Sequence, residues 1–239
     1  LGKTYPWAFV PGCPGTANQE TNMNFEQARF NMVEQQIRPW EVLDSRVLSL
    51  LESIHREDFV PVRYRKLAFA DIAVPLDCDQ VMMRPKIEAR VLQALALDPD
   101  ETVLEIGTGS GFMTACLAGL AKRVVSVEIF PELNEQATVK LKDKNINNVE
   151  LFVGDAMRGW QPEQAHDVVV VTGSVASVPE QFLGWVNPGG RLFVVTGDSP
   201  AMEACLMKRL DVTDWSGESL FETDLPRLVN ADQPAEFEF

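Results

Sequence analysis

The chain has 239 residues, 46% hydrophobic and 23% charged, which suits one α/β domain with a sizeable core and some additions. No apolar run reaches the roughly 18 residues of a membrane span, and a formal net charge of −14 repels phosphate backbones, so neither membrane insertion nor nucleic-acid binding is expected. Four scattered cysteines lack a Cys-x-x-Cys pair, and His55 and His166 are far apart, which argues against a metal site or a disulfide framework and for a reduced, cytoplasmic protein.

Residues 1–22 are rich in proline and glycine and show no periodicity. They read as an extension before a natural start at Met23, or as an arm packing through Tyr5, Trp7 and Phe9. No basic stretch leads into a long apolar one, so they are not a secretory signal. Phe25–Ile37 has apolar residues at helical spacing and stops before Pro39. Asp44 is placed to cap a second helix carrying Val47, Leu48, Leu51 and Ile54. Phe59–Pro61 and Ala70–Leu76 read as an irregular connector. Pro85 opens a third helix through Ala96.

From Glu101 strands and helices alternate. Strands are expected at Thr102–Ile106, Arg123–Glu128, Val149–Val153, Asp167–Thr172 and Arg191–Thr196. Helices are expected at Phe112–Ala121, Pro131–Asn145 and Pro179–Val186. Asn187–Gly190 reads as a structural turn before the fifth strand. Ala204–Val212 and Glu218–Thr223 suit an antiparallel hairpin at the sheet edge. The implied fold is α/β, a doubly wound, mostly parallel sheet with N-terminal helices and a C-terminal hairpin. Its expected organisation is an extension over 1–22, a helical region over 23–98 and a ligand-binding α/β core over 99–239.

The first of those strands runs Val103-Leu104-Glu105-Ile106 and is followed by Gly107-Thr108-Gly109-Ser110-Gly111. Glycines at alternate positions let the backbone turn sharply and lie close to a ligand. The spacing is not the G-x-G-x-x-G of dinucleotide sites, and Glu105 would repel a pyrophosphate. It would attract an ammonium. Glu128 ends the second strand, seventeen residues beyond Gly111, where a carboxylate can accept hydrogen bonds from both ribose hydroxyls. An ammonium, a sulfonium and a ribose in that order describe S-adenosyl-L-methionine. This is the motif of a Rossmann-like class I methyltransferase. The expected cofactor-binding residues are therefore Glu105, Gly107, Thr108, Gly109, Gly111, Glu128 and Ile129. Asp155 and Ala156 after the third strand, with Asp155 receiving the adenine amino group, and Thr172 at the mouth of the fourth complete the set.

Several segments together resemble the protein-L-isoaspartate O-methyltransferases: Val103–Gly111, Val125–Leu133, Met32–Pro39, Arg56–Pro61, Leu67–Asp71 and Asp167–Thr172 with Pro179. The resemblance spans roughly residues 30–228. It implies methyl transfer to a protein or peptide carboxylate at isoaspartyl sites, which begins protein repair. It also implies an acceptor loop, Gly-x-Gly-Gln-Thr-Ile-Ser-x-Pro in the family. The aligned residues are Asp77-Cys78-Asp79-Gln80-Val81-Met82-Met83-Arg84-Pro85. Gln80 and Pro85 hold the register, Val81 and Met83 stand for the threonine and serine, and aspartates stand for both glycines. The expected acceptor loop is thus Gln80, Val81, Met82, Met83 and Arg84, with Arg84 the one group there able to offset the two acids. No catalytic residue is assigned. The tail segment Glu222–Leu228 lies where the family has an apolar, proline-containing acceptor strand; it keeps the proline, Pro226, and adds acids. Another acceptor, such as a small molecule, and a cofactor-binding module without turnover are the competing readings.

Overall fold

A computed structural model describes residues 24–231. The extension expected over 1–22 lies outside the described residues. The Asn24 side chain accepts the Gln27 N–H at 3.1 Å and caps helix α1 (Phe25–Met32). The expected helix continues to Ile37, but its last turn widens into a π-turn over Val33–Ile37 and then tightens into a 3₁₀ turn over Arg38–Trp40. Pro39 has no N–H with which to extend the regular ladder. Asp44 caps α2 (Ser45–Ser53) through Arg46 N–H at 2.8 Å, and Val47, Leu48 and Leu51 form its buried face. The connector folds into 3₁₀ turns and a short hairpin of β1 (Val74–Pro75) and β2 (Val81–Met82). Helix α3 (Pro85–Leu95) follows, with Pro85 in its first turn.

The α/β part runs β3 (Thr102–Ile106), α4 (Phe112–Leu120), β4 (Arg123–Glu128), α5 (Pro131–Asp143), β5 (Val149–Val153), β6 (His166–Val175), α6 (Glu180–Gly184), β7 (Val186–Thr196), β8 (Met202–Arg209) and β9 (Trp215–Thr223). The sheet order is β5-β4-β3-β6-β7-β8-β9. The first five strands are parallel, and β8 and β9 form the antiparallel hairpin. Alternation along β3 sends Val103 into the core under α2–α4 and Leu104 and Ile106 into the opposite layer with Phe182 and Trp185. Asn187–Gly190 does not precede the fifth parallel strand; it lies inside β7 as a bulge against β6. Gly189 has φ +82°, and a Cβ on Gly190 would sit 2.4 Å from the Asp167 carbonyl, so only glycines allow this path. No helix among the described residues is long and apolar enough to cross a membrane.

Strand order reverses at β3, since β4 and β5 lie on one side of it and β6 on the other. Ligands of such sheets bind outside the carboxyl ends of the strands at this point.

Candidate active site

A cleft of about 870 Å³, counting its open mouth, lies there. The loop after β3 forms its floor. Gly107 has φ +99°, and a Cβ would meet Thr172 Oγ1 at 2.4 Å. That hydroxyl lies 2.9 Å from the Ile106 carbonyl and 2.6 Å from the Gly107 carbonyl and donates to them, so Thr172 pins the loop as well as lining the cleft. Glu128 is 4% exposed. Its Oε2 accepts the Gly109 N–H at 2.8 Å and its Oε1 the Phe130 N–H at 3.1 Å. Ile129, Thr108 and Ala156 also line the cleft. The Thr108 hydroxyl is turned to Ser126 Oγ, 2.6 Å away.

Asp155 lines the cleft after β5 and also shapes its own turn. Its Oδ1 accepts the N–H groups of Met157 and Arg158, and its Oδ2 accepts Asn230 Nδ2 at 2.8 Å. The strap Pro226–Val229 closes the cleft from the far side. Ser174 N–H donates to the Pro226 carbonyl and Leu228 N–H to the Ser174 carbonyl, both at 2.9 Å, which fixes the strap to the end of β6.

Two expected cofactor residues lie elsewhere. Glu105 is 0% exposed and absent from the cleft wall. Its Oε2 accepts from Thr114 Oγ1 at 2.5 Å and Ser126 Oγ at 2.6 Å. Burial pushes its carboxyl up to about 8 against the lowering effect of those two donors. The alternation of β3 points it under α4, so it braces the loop from below and does not line the cleft. Gly111 is also off the cleft wall. It caps α4 at φ +84°, and a Cβ would come within 3.0 Å of Ala137 Cβ, so its glycine serves helix packing.

Gln80, Val81, Met82 and Met83 line one end of the cleft, beside Met113. Arg84 does not; it is exposed at the start of α3. Asp77 and Asp79 are exposed on the hairpin turn. Arg63 lies 3.7 Å from Asp77, and Gln136 Nε2 donates to it at 2.9 Å. Cys78 and Asp79 hold left-handed backbone, φ +57° and +55°. Sequence reasoning missed Glu88, Ser110, Met113 and Met157 on the cleft wall. The only available signal for Glu88 was an acid placed among the apolar residues of α3, where Ile87, Val91, Leu92 and Leu95 are buried.

The family model described as Protein-L-isoaspartate(D-aspartate) O-methyltransferase (PCMT) matches residues 27–220. The chain is 36% identical over 202 residues to the protein-L-isoaspartate O-methyltransferase of Rhodopseudomonas palustris, covering 84% of this chain and 93% of that one. It is 34% identical over 221 residues to protein-L-isoaspartate O-methyltransferase 2 of Pelobacter propionicus, covering 92% and 96%. Among solved structures, a protein-L-isoaspartate O-methyltransferase superposes with a TM-score of 0.70 at 26% identity, covering 83% of this chain and 65% of that one. A Plasmodium falciparum structure of that description, in complex with S-adenosyl-L-homocysteine, superposes with a TM-score of 0.71 over 86% of this chain and 98% of its own, at 16% identity. The match runs through the N-terminal helices and the acceptor loop as well as the sheet, and the chain belongs to the protein-L-isoaspartate O-methyltransferase family.

Proposed function

We propose that the chain is an S-adenosylmethionine-dependent O-methyltransferase whose acceptor is not the isoaspartyl carboxylate. The cofactor fits the residues present. The cleft lies where ligands of such sheets bind, carboxylates stand along it, and the glycine loop leaves no side chain between the ligand and the floor. In this reading Glu128 takes the ribose hydroxyls and Asp155 the adenine amino group. Gly107, Thr108 and Gly109 offer close backbone approach, with Ile129, Ala156 and Thr172 as walls. When bound, the cofactor supplies a methyl group on a sulfonium.

The observation that carries the acceptor reading is the loop wall. Transfer to a carboxylate needs little acid–base help, because the nucleophile is already ionised; the enzyme orients it and excludes water. Val81 and Met83 line the cleft with carbon and sulfur where the family places two hydroxyls. Nothing on those two side chains donates to a carboxylate. Asp77 and Asp79 add negative charge on the adjoining turn. The same features favour a neutral or apolar acceptor, whether on a protein or a small molecule. The net charge of −14 disfavours a nucleic acid, and free Cys78, Cys116 and Cys205 suit a reducing cytoplasm.

A methyl-transfer assay on an isoaspartyl peptide, run beside a calorimetric titration with S-adenosylhomocysteine, tests this. The unmodified protein binds the cofactor product and turns the peptide over orders of magnitude more slowly than its relatives. Val81→Thr with Met83→Ser, Asp77→Gly and Asp79→Gly raises peptide turnover and leaves the affinity unchanged. Family-like turnover by the unmodified protein defeats the acceptor reading; absence of binding defeats the cofactor reading.

A further inference from the structure

Glu88 lies on α3, 1% exposed, and lines the cleft. Its Oε2 is ion-paired with Arg56 Nη1. Arg56 is itself fully buried, its guanidinium 4.7 Å from the centre of the Phe112 ring. Its Nε donates to the Ala68 carbonyl at 2.9 Å and its Nη2 to the Met83 carbonyl at 2.6 Å. All three guanidinium nitrogens are thus engaged. Glu88 Oε1 accepts no hydrogen bond from the described residues and, with Glu88 on the cleft wall, is not a sealed oxygen left without a partner, as Glu105 Oε1 is. A buried charge is retained only where it is paired and its remaining lone pairs find donors. Arg56 meets the first need and leaves the second to whatever enters the cleft.

Position narrows what that is. Asp155 follows β5, Glu128 ends β4, the glycine loop follows β3, and Glu88 stands beyond it beside the acceptor loop. In S-adenosylmethionine the adenine amino group, the ribose hydroxyls, the sulfonium and the amino-acid ammonium come in one line. Three of these groups are hydrogen-bond donors suited to a carboxylate, and the cleft has three carboxylates in the corresponding order. Glu105, the other candidate for the ammonium, is sealed below the loop by Thr114 and Ser126.

We propose that Glu88 binds the ammonium of the cofactor's amino-acid arm through Oε1, with Arg56 as the positioning residue that aims it and ties it to the Met83 carbonyl of the acceptor loop. The assignment rests on the cofactor reading above. It also makes binding proton-linked. Burial pushes the Glu88 carboxyl up to about 7, opposed by Arg56. Arg56 is the charged group acting on it, and Glu88 in turn raises Glu105 on β3 and Cys116 on α4. An arriving ammonium favours the ionised form, so part of the population gives up a proton on binding near neutral pH.

The test is calorimetry near pH 7 in two buffers of different ionisation enthalpy. The ligands are S-adenosylhomocysteine and 5′-methylthioadenosine, which lacks the amino-acid arm. The wild-type protein releases protons with the first ligand and not with the second; this readout needs no variant. Glu88→Gln, which retains an oxygen for Arg56, binds S-adenosylhomocysteine at least about tenfold more weakly. It loses the proton release and binds 5′-methylthioadenosine as the wild type does. Wild-type affinity of Glu88→Gln for S-adenosylhomocysteine, an equal loss for both ligands, or proton release that persists in the variant overturns the assignment. A wild-type protein that binds neither ligand overturns the cofactor reading and this assignment together.

Discussion

Glu128 Oε2 accepts the Gly109 N–H at 2.8 Å, so the acid that ends β4 holds the loop that follows β3. Its other oxygen accepts the Phe130 N–H, so two backbone groups hold the carboxylate in place on the cleft wall. Glu128→Ala removes the proposed ribose partner and frees the loop. The loss of a hydrogen bond to a charged group is worth about 1.5–3 kcal/mol, so S-adenosylhomocysteine binding weakens at least about tenfold while the fold persists. Calorimetric titration checks this, and unchanged affinity removes Glu128 from the site.

Gly107 and Gly109 differ in what surrounds them. A Cβ on Gly107 would strike Thr172 Oγ1 at 2.4 Å, whereas on Gly109 it would meet Leu76 Cδ1 at 3.5 Å, an ordinary contact. Both have positive φ, which costs an L-residue about 1–2 kcal/mol. Gly107→Ala therefore lowers the melting temperature more than Gly109→Ala. Gly109→Ala still weakens cofactor binding, because its strain falls on the loop that approaches the ligand. Equal melting temperatures for the two variants would contradict the Thr172 contact.

Burial pushes the Glu105 carboxyl up to about 8 in the folded protein, from the ordinary 4.5 of a glutamate in the unfolded chain. Below pH 4.5 it is neutral in both states. As pH rises from there toward 8 the unfolded chain releases its proton first, so stability falls through this window and levels off above it. Glu88, raised to about 7, acts in the same direction. Glu105→Gln stays neutral and can still accept from Thr114 or Ser126. Its melting temperature, relative to wild type, rises between pH 5 and pH 8; each 1 kcal/mol corresponds to roughly 2–4 °C at this chain length. An offset that is the same at both pH values would show that Glu105 is not the group responsible.

Cys78 occupies left-handed backbone at φ +57° in the hairpin turn between β1 and β2. Cys78→Gly relieves about 1–2 kcal/mol of that strain, partly offset by the added freedom of the unfolded chain. The expected result is a melting temperature raised by up to a few degrees with cofactor affinity unchanged. A lower melting temperature would mean that the Cys78 side chain contributes packing worth more than the strain.

Local pattern carried far in this chain. Apolar runs bounded by glycine, proline and charged residues placed β3 and β4 to the residue, because buried parallel strands need continuous apolar sequence and end where it ends; β5 was placed as well, although it is the sheet edge and leaves Phe152 and Val153 exposed. The glycine spacing and Glu128 were legible for a related reason: a backbone that must approach a ligand admits no side chain, and a carboxylate at a strand end has one place to point. The acceptor loop was legible through Gln80 and Pro85, which keep the register while the residues between them change chemistry.

What pattern could not show is direction and company. Glu105 stands two residues before the first glycine, yet strand alternation and the α4 helix above it seal it from the cleft, while Gly111 serves contact with Ala137. Glu88 looks like an acid on a helix until Arg56, thirty-two residues earlier, is brought against it under the acceptor loop. The strap Pro226–Val229 becomes a cleft wall only through its hydrogen bonds to Ser174. The sequence alone therefore determined β3, β4 and β5, the glycine loop and the family. Tertiary packing decided which carboxylates face the cleft, because burial and pairing are properties of neighbours far apart in the chain.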